Sequence, residues 1–447
     1  MFVSYDIIGL LLVQHPLPID EFNLKLLYTT LFTLSIPLLI LRLFWRGFRA
    51  PAYWQRWPER FGSSPKLDSS KPVIWIHAVS VGEVEACRPV AIALRQQYPN
   101  HQLLITTMTP TGSSRVKAVF SDKVAHCYLP YDIPFAIKRF LNNTQPTFGI
   151  IMETEIWPNL LSISHQRNIP LFLANARMSE RSAKGYARFA HFIKDTLQNL
   201  SVIAAQSADD KRRFQSLGAD SKSVHAIGNL KYEINLAASL SEQASSMRAI
   251  WGINRPVLIA ASTHEGEEEM VLNASRQIRS KHPELLLIIV PRHPERFDRV
   301  AALAHKSGFT TLRRSEMKPC PSDIQVLLVD TMGELPLFYA ASDVAFVGGS
   351  LVPHGGHNVL EPAALGRAVL TGPHFFNFNE ITQQFLAAEA ALKVNDTRAL
   401  ADITIDLLNN PQKRADMGEE GLKLISKSQG ASDRLVNLIK YHLSHNG

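Results

Sequence analysis

From residue 73 onward, short apolar runs rich in β-branched residues alternate with amphipathic stretches of helical length, the pattern of parallel βαβ units. In the first half the strand-like runs are VIWIHAV (73–79), QLLITTM (102–108), VAHCYLP (124–130), FGIIME (148–153), PLFLANA (170–176), VIAAQS (202–207) and VHAIGN (224–229). A polar, small-residue stretch over 234–252, INLAASLSEQASSMRAIWG, interrupts the alternation. It restarts with PVLIAAS (256–262), ELLLIIVP (284–291), VLLVD (326–330), VAFVGGS (344–350) and AVLTG (368–372), and the chain closes on helical stretches such as DRLVNLIKYHL (433–443). The pattern predicts two Rossmann-like, doubly wound α/β domains, 50–235 and 236–447, facing a cleft, with the last helix able to pack back on the first domain. Ligands in such sheets sit beyond the carboxyl ends of the strands.

Ahead of these halves, residues 26–41 read LLYTTLFTLSIPLLIL without a charge. With Lys25 and Arg42 snorkelling at its ends the segment reaches about 20 residues, barely enough to cross a hydrocarbon core. We assign 24–49 as a membrane-anchor helix, either spanning or lying in the interface. Pro37 falls inside it, which membrane helices tolerate. Arg42, Arg46, Arg49, Arg56 and Arg60 follow with Trp45, Trp54 and Trp57, so the positive-inside rule places the bulk of the chain in the cytoplasm. Residues 1–23 form an N-terminal extension with a short apolar run at 7–13, lacking the basic n-region and cleavage site of a signal peptide.

Composition narrows the partners. The chain of 447 residues is 46% apolar and 19% charged, as befits a globular protein with more than one core. Its net charge of +7 suits nucleic acid, an anionic membrane or a phosphorylated substrate. No long Lys/Arg run of a nucleic-acid reader occurs, and the crowding of basic residues near the N-terminus favours a membrane surface. The three cysteines, Cys87, Cys127 and Cys320, make neither a CxxC pair nor a metal-ligand spacing and suit a reducing compartment.

Chemistry concentrates at the predicted strand ends. The first strand runs into Ser80-Val81-Gly82-Glu83, which reads as a capping box at a helix start and equally as a carboxylate held ionised and ready to accept a proton. Glu153 and Glu155 follow a later strand, as solvated loop acids or as acids delivered to the cleft. Lys231 closes the last strand of the first half, facing solvent or meeting a phosphate or carboxylate. In the second half, Pro291-Arg292-His293-Pro294 ends a buried strand and Thr331-Met332-Gly333-Glu334 links a strand to a helix. The segment 344–366, VAFVGGSLVPHGGHNVLEPAALG, carries glycines that admit a ligand close to the backbone. A helix opening near Asn358 would offer N–H groups to a phosphate, with Glu361 one turn on for ribose hydroxyls. His264, in STHEGEEE, lacks HExxH spacing, so no metal site is expected, and neither a GxGxxG nor a P-loop motif occurs.

These motifs together resemble the 3-deoxy-D-manno-octulosonic acid (Kdo) transferases of lipopolysaccharide synthesis. The resemblance rests on RAPAYWQRWPERFG, HAVSVGEVEA, METEIWPNLL, NARMSERS, GNLKYE, ASTHEGEEE, PRHPERF, DTMGELP and GGSLVPHGGHNVLEPAALG, which together cover nearly the whole chain from about residue 25. It implies a GT-B glycosyltransferase, inverting and metal-independent, without a cofactor and with no nucleic-acid partner, at the cytoplasmic leaflet of a bacterial inner membrane. The donor would be CMP-Kdo and the acceptor a tetraacylated lipid A precursor. Glu83 matches the family's general base, and Glu153 and Lys231 match residues that stabilise the transition state. Pro291, Arg292, His293, Met332, Gly333, Glu334, Asn358, Val359, Leu360 and Glu361 fall at the CMP-binding positions. The extension ahead of the usual anchor is the one departure. Two rivals remain open: a GT-B transferase using a UDP-sugar, and a membrane-tethered nucleotide-binding module without catalysis.

Overall fold

The computed structural model describes residues 21–445 apart from Asn235 and Ala238. The extension expected over 1–23 therefore lies outside the described residues, except for the backbone of its last three positions. Two compact units divide the chain. Unit 1 runs to Glu233 and takes up the chain again from Ser428, while unit 2 is Ile234–Lys427.

In unit 1 the strands are β1 (Val73–His77), β2 (Gln102–Thr107), β3 (Ala125–Tyr128), β4 (Pro146–Met152), β5 (Leu171–Ala176), β6 (Val202–Ala205) and β7 (Val224–Ala226). They form a parallel sheet in the order β3-β2-β1-β4-β5-β6-β7. Unit 2 holds β8 (Val257–Thr263), β9 (Leu286–Pro291), β10 (Thr311–Arg313), β11 (Val326–Leu328), β12 (Val344–Val347), β13 (Ala368–Thr371) and β14 (Ala391–Lys393). Its parallel order is β10-β11-β9-β8-β12-β13-β14. Both sheets are covered on both faces, which is why their central strands read as unbroken apolar runs. The pattern did not predict β10 and β14. Each is three residues long at a sheet edge and partly exposed, so neither leaves a continuous apolar run.

The first described helix, α1 (Glu21–Arg49), is long and apolar enough by composition to cross a membrane over Leu24–Arg49. Its two sides differ. Tyr28, Phe32, Ile36, Leu39 and Leu43 recur at helical spacing and pack onto the core of unit 1, with Phe32 only 2% exposed. Polar contacts reinforce that side. Tyr28 donates to Asp132 at 2.9 Å, Thr29 to Asn159 at 3.0 Å, and Lys25 to the Ser162 hydroxyl. Leu34, Leu38, Leu41, Phe44, Trp45 and Phe48 are exposed on the remaining surface. The basic cluster after the helix also divides. Arg42, Arg46 and Arg49 are exposed, whereas Arg60 is buried and Arg56 half-buried, both lying over the Tyr128 ring. Arg56 further binds Glu59, Ser113 and His126. Those two arginines belong to the fold of unit 1 and not to a lipid-facing belt.

Strand order reverses between β1 and β4 in unit 1 and between β8 and β12 in unit 2. At these points the connections leave in opposite directions and open a crevice at the strand carboxyl ends. In each unit the leading strand feeds a helix there: α2 (Val81–Gln97) after β1, and α3 (Glu267–Arg279) after β8. The last helix, α4 (Ala431–His445), belongs to unit 1. Its Ala431, Leu435, Val436 and Ile439 complete a core with Ile74, Val84 and other residues of β1 and α2. Arg434 donates to the Ile227 carbonyl at 2.8 Å and helps to fix it.

Candidate active site

At the β1/β4 reversal the turn into α2 places Glu83 in the first helical turn, 6% exposed. Its carboxylate folds back into the loop, accepting the Val79 N–H at 2.8 Å and the Ser80 hydroxyl at 3.0 Å. The expected reciprocal capping box is therefore incomplete. Ser80 is the N-cap residue, but its hydroxyl serves Glu83 and makes no cap bond to the helix backbone. Burial pushes the Glu83 carboxyl up to about 8, and the charges of Glu153 and Glu155 add to the rise. The two hydrogen bonds do not offset that desolvation. Glu83 is thus not the ordinary ionised carboxylate expected from its motif. Near neutral pH it is mostly protonated.

Glu153 follows β4 with φ of 56°, a left-handed conformation that costs a non-glycine residue about 1–3 kcal/mol. Lys231 Nζ donates to the Glu153 carboxylate at 2.7 Å, while Arg177 Nε lies 4.0 Å from the other oxygen. Asn175, at the end of β5, repeats the conformation at φ 55°. Its Oδ1 accepts the Leu230 N–H at 2.9 Å and so holds the turn that carries Lys231. Glu155 accepts the Trp157 indole N–H at 3.0 Å. Burial outweighs that bond and, with Glu153 adding to the rise, carries Glu155 up to about 7. Unit 1 thus gathers three carboxylates and a lysine beyond the carboxyl ends of its strands.

Unit 2 builds a different arrangement. Glu267, fully buried at the start of α3, accepts the N–H groups of His264 (2.9 Å), Gly349 (2.7 Å), Ser350 (3.0 Å) and Leu351 (2.9 Å). It thereby fixes the glycine-rich loop after β12. Gly348 has to be glycine, because a Cβ there would lie 2.8 Å from the Ser262 carbonyl. Arg292 donates its N–H to the Thr263 carbonyl at 3.0 Å, joining the end of β9 to that of β8. Pro291 closes β9, and Arg292 and His293 are exposed.

Asn358 accepts the Leu360 N–H at 3.1 Å and donates to Glu361 at 3.3 Å. The helix expected to open here is the single turn Leu360–Ala363. A dipole of that length is small, and one of its N–H groups is already taken by Asn358. Val359 and Leu360 are buried beneath it, so only their backbone is available to a ligand. After β11, Gly333 has φ of 88° and Met332 is exposed. Glu334 is paired with the Arg314 guanidinium at 2.8 Å, which holds its carboxyl below the usual range despite partial burial, the Thr331 hydroxyl helping.

Comparison with known proteins identifies the family. Residues 55–234 match the family model of the 3-deoxy-D-manno-octulosonic-acid transferase (kdotransferase), and 255–424 match that of the glycosyl transferases group 1. A 3-deoxy-D-manno-octulosonic acid transferase from Haemophilus influenzae is 43% identical over 94% of this chain and 99% of its own length. The chain belongs to the Kdo transferase family. A second member, from Bordetella pertussis, is 35% identical over 90% of this chain and 96% of its own length. Among solved structures, UDP-GlcNAc 2-epimerase from Neisseria meningitidis matches with a TM-score of 0.54 at 16% identity, over 82% of this chain and all of that one. It shares the fold of two Rossmann-like domains.

As a Kdo transferase the chain is a glycosyltransferase with the GT-B architecture, and the residues singled out from its motifs fall into two groups. Glu83, Glu153 and Lys231 come together in unit 1, and the residues expected at the CMP-binding positions lie at the end of β9 or in the segments that follow β9, β11 and β12 of unit 2. Three functional candidates escaped the sequence. Asn175 and Arg177 were visible only as part of NARMSERS, and Glu267 as the first of three acids in a row. The signal for the first two is polar residues directly after a buried strand.

Proposed function

We propose that this Kdo transferase moves Kdo from CMP-Kdo to a tetraacylated lipid A precursor, releasing CMP, with Glu83 as general base. The observation that carries the reading is Glu83 itself: a carboxyl buried at the strand reversal and pushed up to about 8, with Glu153, itself paired with Lys231, among its acidic neighbours. A base of that strength takes the proton of a sugar hydroxyl more readily than an ordinary carboxylate, as the oxygen attacks the anomeric carbon. A single displacement by that oxygen inverts the centre. The bond from the anomeric carbon to the phosphate oxygen breaks, and the CMP phosphate takes the electron pair.

Lys231 supplies positive charge where negative charge develops. The backbone of the 348–360 loop and Arg292 hold the nucleotide phosphate, with Pro291, His293, Met332, Gly333 and the Asn358–Glu361 pair around the rest of CMP. No metal or cofactor takes part in this scheme, so EDTA should leave the rate unchanged. The proposed site is cytoplasmic, and α1 is monotopic. A helix whose Tyr28–Leu43 stripe packs on unit 1 presents only its other side to the acyl region. Replacing Arg42, Arg46 and Arg49 with Gln should then weaken binding to anionic vesicles; unchanged binding would remove the basic cluster from the anchor.

The deciding experiment is CMP release from CMP-Kdo with the lipid A precursor, for wild type and Glu83→Ala. Acceptor-dependent release that is lost in a variant still able to bind CMP supports both donor and base. Release by neither protein, together with competition by UDP and not CMP, transfers the reading to a UDP-sugar. Equal release by both leaves the reaction and returns Glu83 to a structural role.

A further inference from the structure

Four histidines meet at the carboxyl ends of β8, β9 and β12. His264 Nε2 lies 2.8 Å from His357 Nε2, with the two rings within 4° of parallel. The His354 ring stacks on His264 at 4.2 Å, and the His293 ring approaches it edge-on at 5.6 Å. His264 and His357 are half-buried, while His293 and His354 are exposed, so the cluster opens on one side. The nucleotide scheme above assigns no task to His264, His354 or His357.

Two imidazole nitrogens at this separation share one proton, one ring donating and the other accepting. Burial lowers His264 to about 4 and His357 to about 3, with the other histidines and Arg292 opposing any further proton, and Arg296 joining them at His264. The surroundings explain the balance. Arg296 is paired with Glu265 at 3.1 Å and Glu268 at 2.9 Å. Glu267 gives both its oxygens to four backbone N–H groups, including that of His264. An anion arriving at the open side would pair with Arg292 and reverse the sign of the local field, and an opposite charge nearby favours the protonated imidazole.

We propose that the His264–His357 pair, covered by His354 and His293, is a subsite for the phosphate of the nucleotide sugar that takes up a proton from solvent when the phosphate binds. The proton adds to the accepting nitrogen, and the resulting imidazolium stands beside the phosphate that gains charge as the sugar departs. No bond to carbon forms or breaks at the histidines. The proposal rests on unit 2 being the site of a nucleoside monophosphate sugar.

The test is calorimetric titration of the full chain with CMP and with cytidine, in two buffers of unlike ionisation enthalpy, for wild type, His264→Gln and His357→Gln. CMP's own ionisation near pH 6 is common to all three proteins and cancels in the difference. Wild type should take up more protons than either variant with CMP, and none with cytidine. CMP affinity should fall about tenfold, or about 1.4 kcal/mol, in the variants, with cytidine affinity unchanged as the control for folding. Should cytidine binding also be lost, His354→Gln, at an exposed ring, replaces them and should lower the uptake in the same direction. Equal proton uptake and equal CMP affinity in wild type and variants overturn the proposal. Binding of UMP in place of CMP overturns only the choice of donor, and proton uptake with UMP then decides the histidines. Binding of neither overturns both.

Discussion

The same turn opens both units, a strand running into a helix whose first turn holds a glutamate, yet Glu83 and Glu267 are held in opposite ways. Both are buried, at 6% and 0% exposure, so depth does not separate them. Donors do. Four backbone N–H groups converge on Glu267, three of them from consecutive residues of a loop more than eighty positions away. Glu83 receives one backbone N–H and one hydroxyl from its own turn, and has two acidic neighbours instead. A carboxylate in this position clamps a loop where N–H groups point at it, and is pushed toward its protonated form where they do not.

The contrast breaks most visibly at Glu267. Glu267→Ala leaves four N–H groups, three of them buried, without this acceptor and should cost unit 2 about 4 kcal/mol or more. Urea unfolding followed at Trp251, the one tryptophan in the sequence of unit 2, reads this directly. A loss under about 1 kcal/mol would mean that the clamp does not hold the loop. Glu83→Gln should act the other way, lowering kcat by about 10²–10⁴ with the unfolding midpoint unchanged or raised; a variant with native rate and lower stability would erase the distinction. Lys231→Met, which removes the cation beside Glu153, should lower kcat/KM by about 10², and a full rate would remove it from the chemistry.

The smallest effect is in the pH profile. A base must be deprotonated to act, so the rate should climb with pH through about 8 as Glu83 ionises. Glu153→Gln removes the larger like charge and should move that climb to lower pH, and Glu155→Gln should move it less. A midpoint that stays in place or rises would show that burial alone sets the value.

Much of this was legible in the sequence because it is local. The central strands, the turn at Glu83 and the run Asn358–Glu361 depend on neighbours within a few positions, and periodicity or spacing records them. What was not legible depends on partners far along the chain. The hydroxyl of Ser80 is offered to Glu83 or to the backbone according to how the whole loop is buried. Arg56 and Arg60 look like lipid-facing charges until Tyr128 and His126 fold onto them. His264 and His357 are 93 positions apart, and only the adjacency of β8 and β12 brings their rings together. The strained φ of Glu153 has no signature in residue type at all.

The return of α4 to unit 1 bears on how the protein is made. Domains tend to fold in the order in which they leave the ribosome. Here the first unit is missing Ala431, Leu435, Val436 and Ile439 until the final stretch is translated, although the second unit is complete by Lys427. A nascent chain stalled before Ser428 would carry a finished second unit and an unsealed first unit. Synthesis through α4 is therefore a built-in check on the unit that holds Glu83.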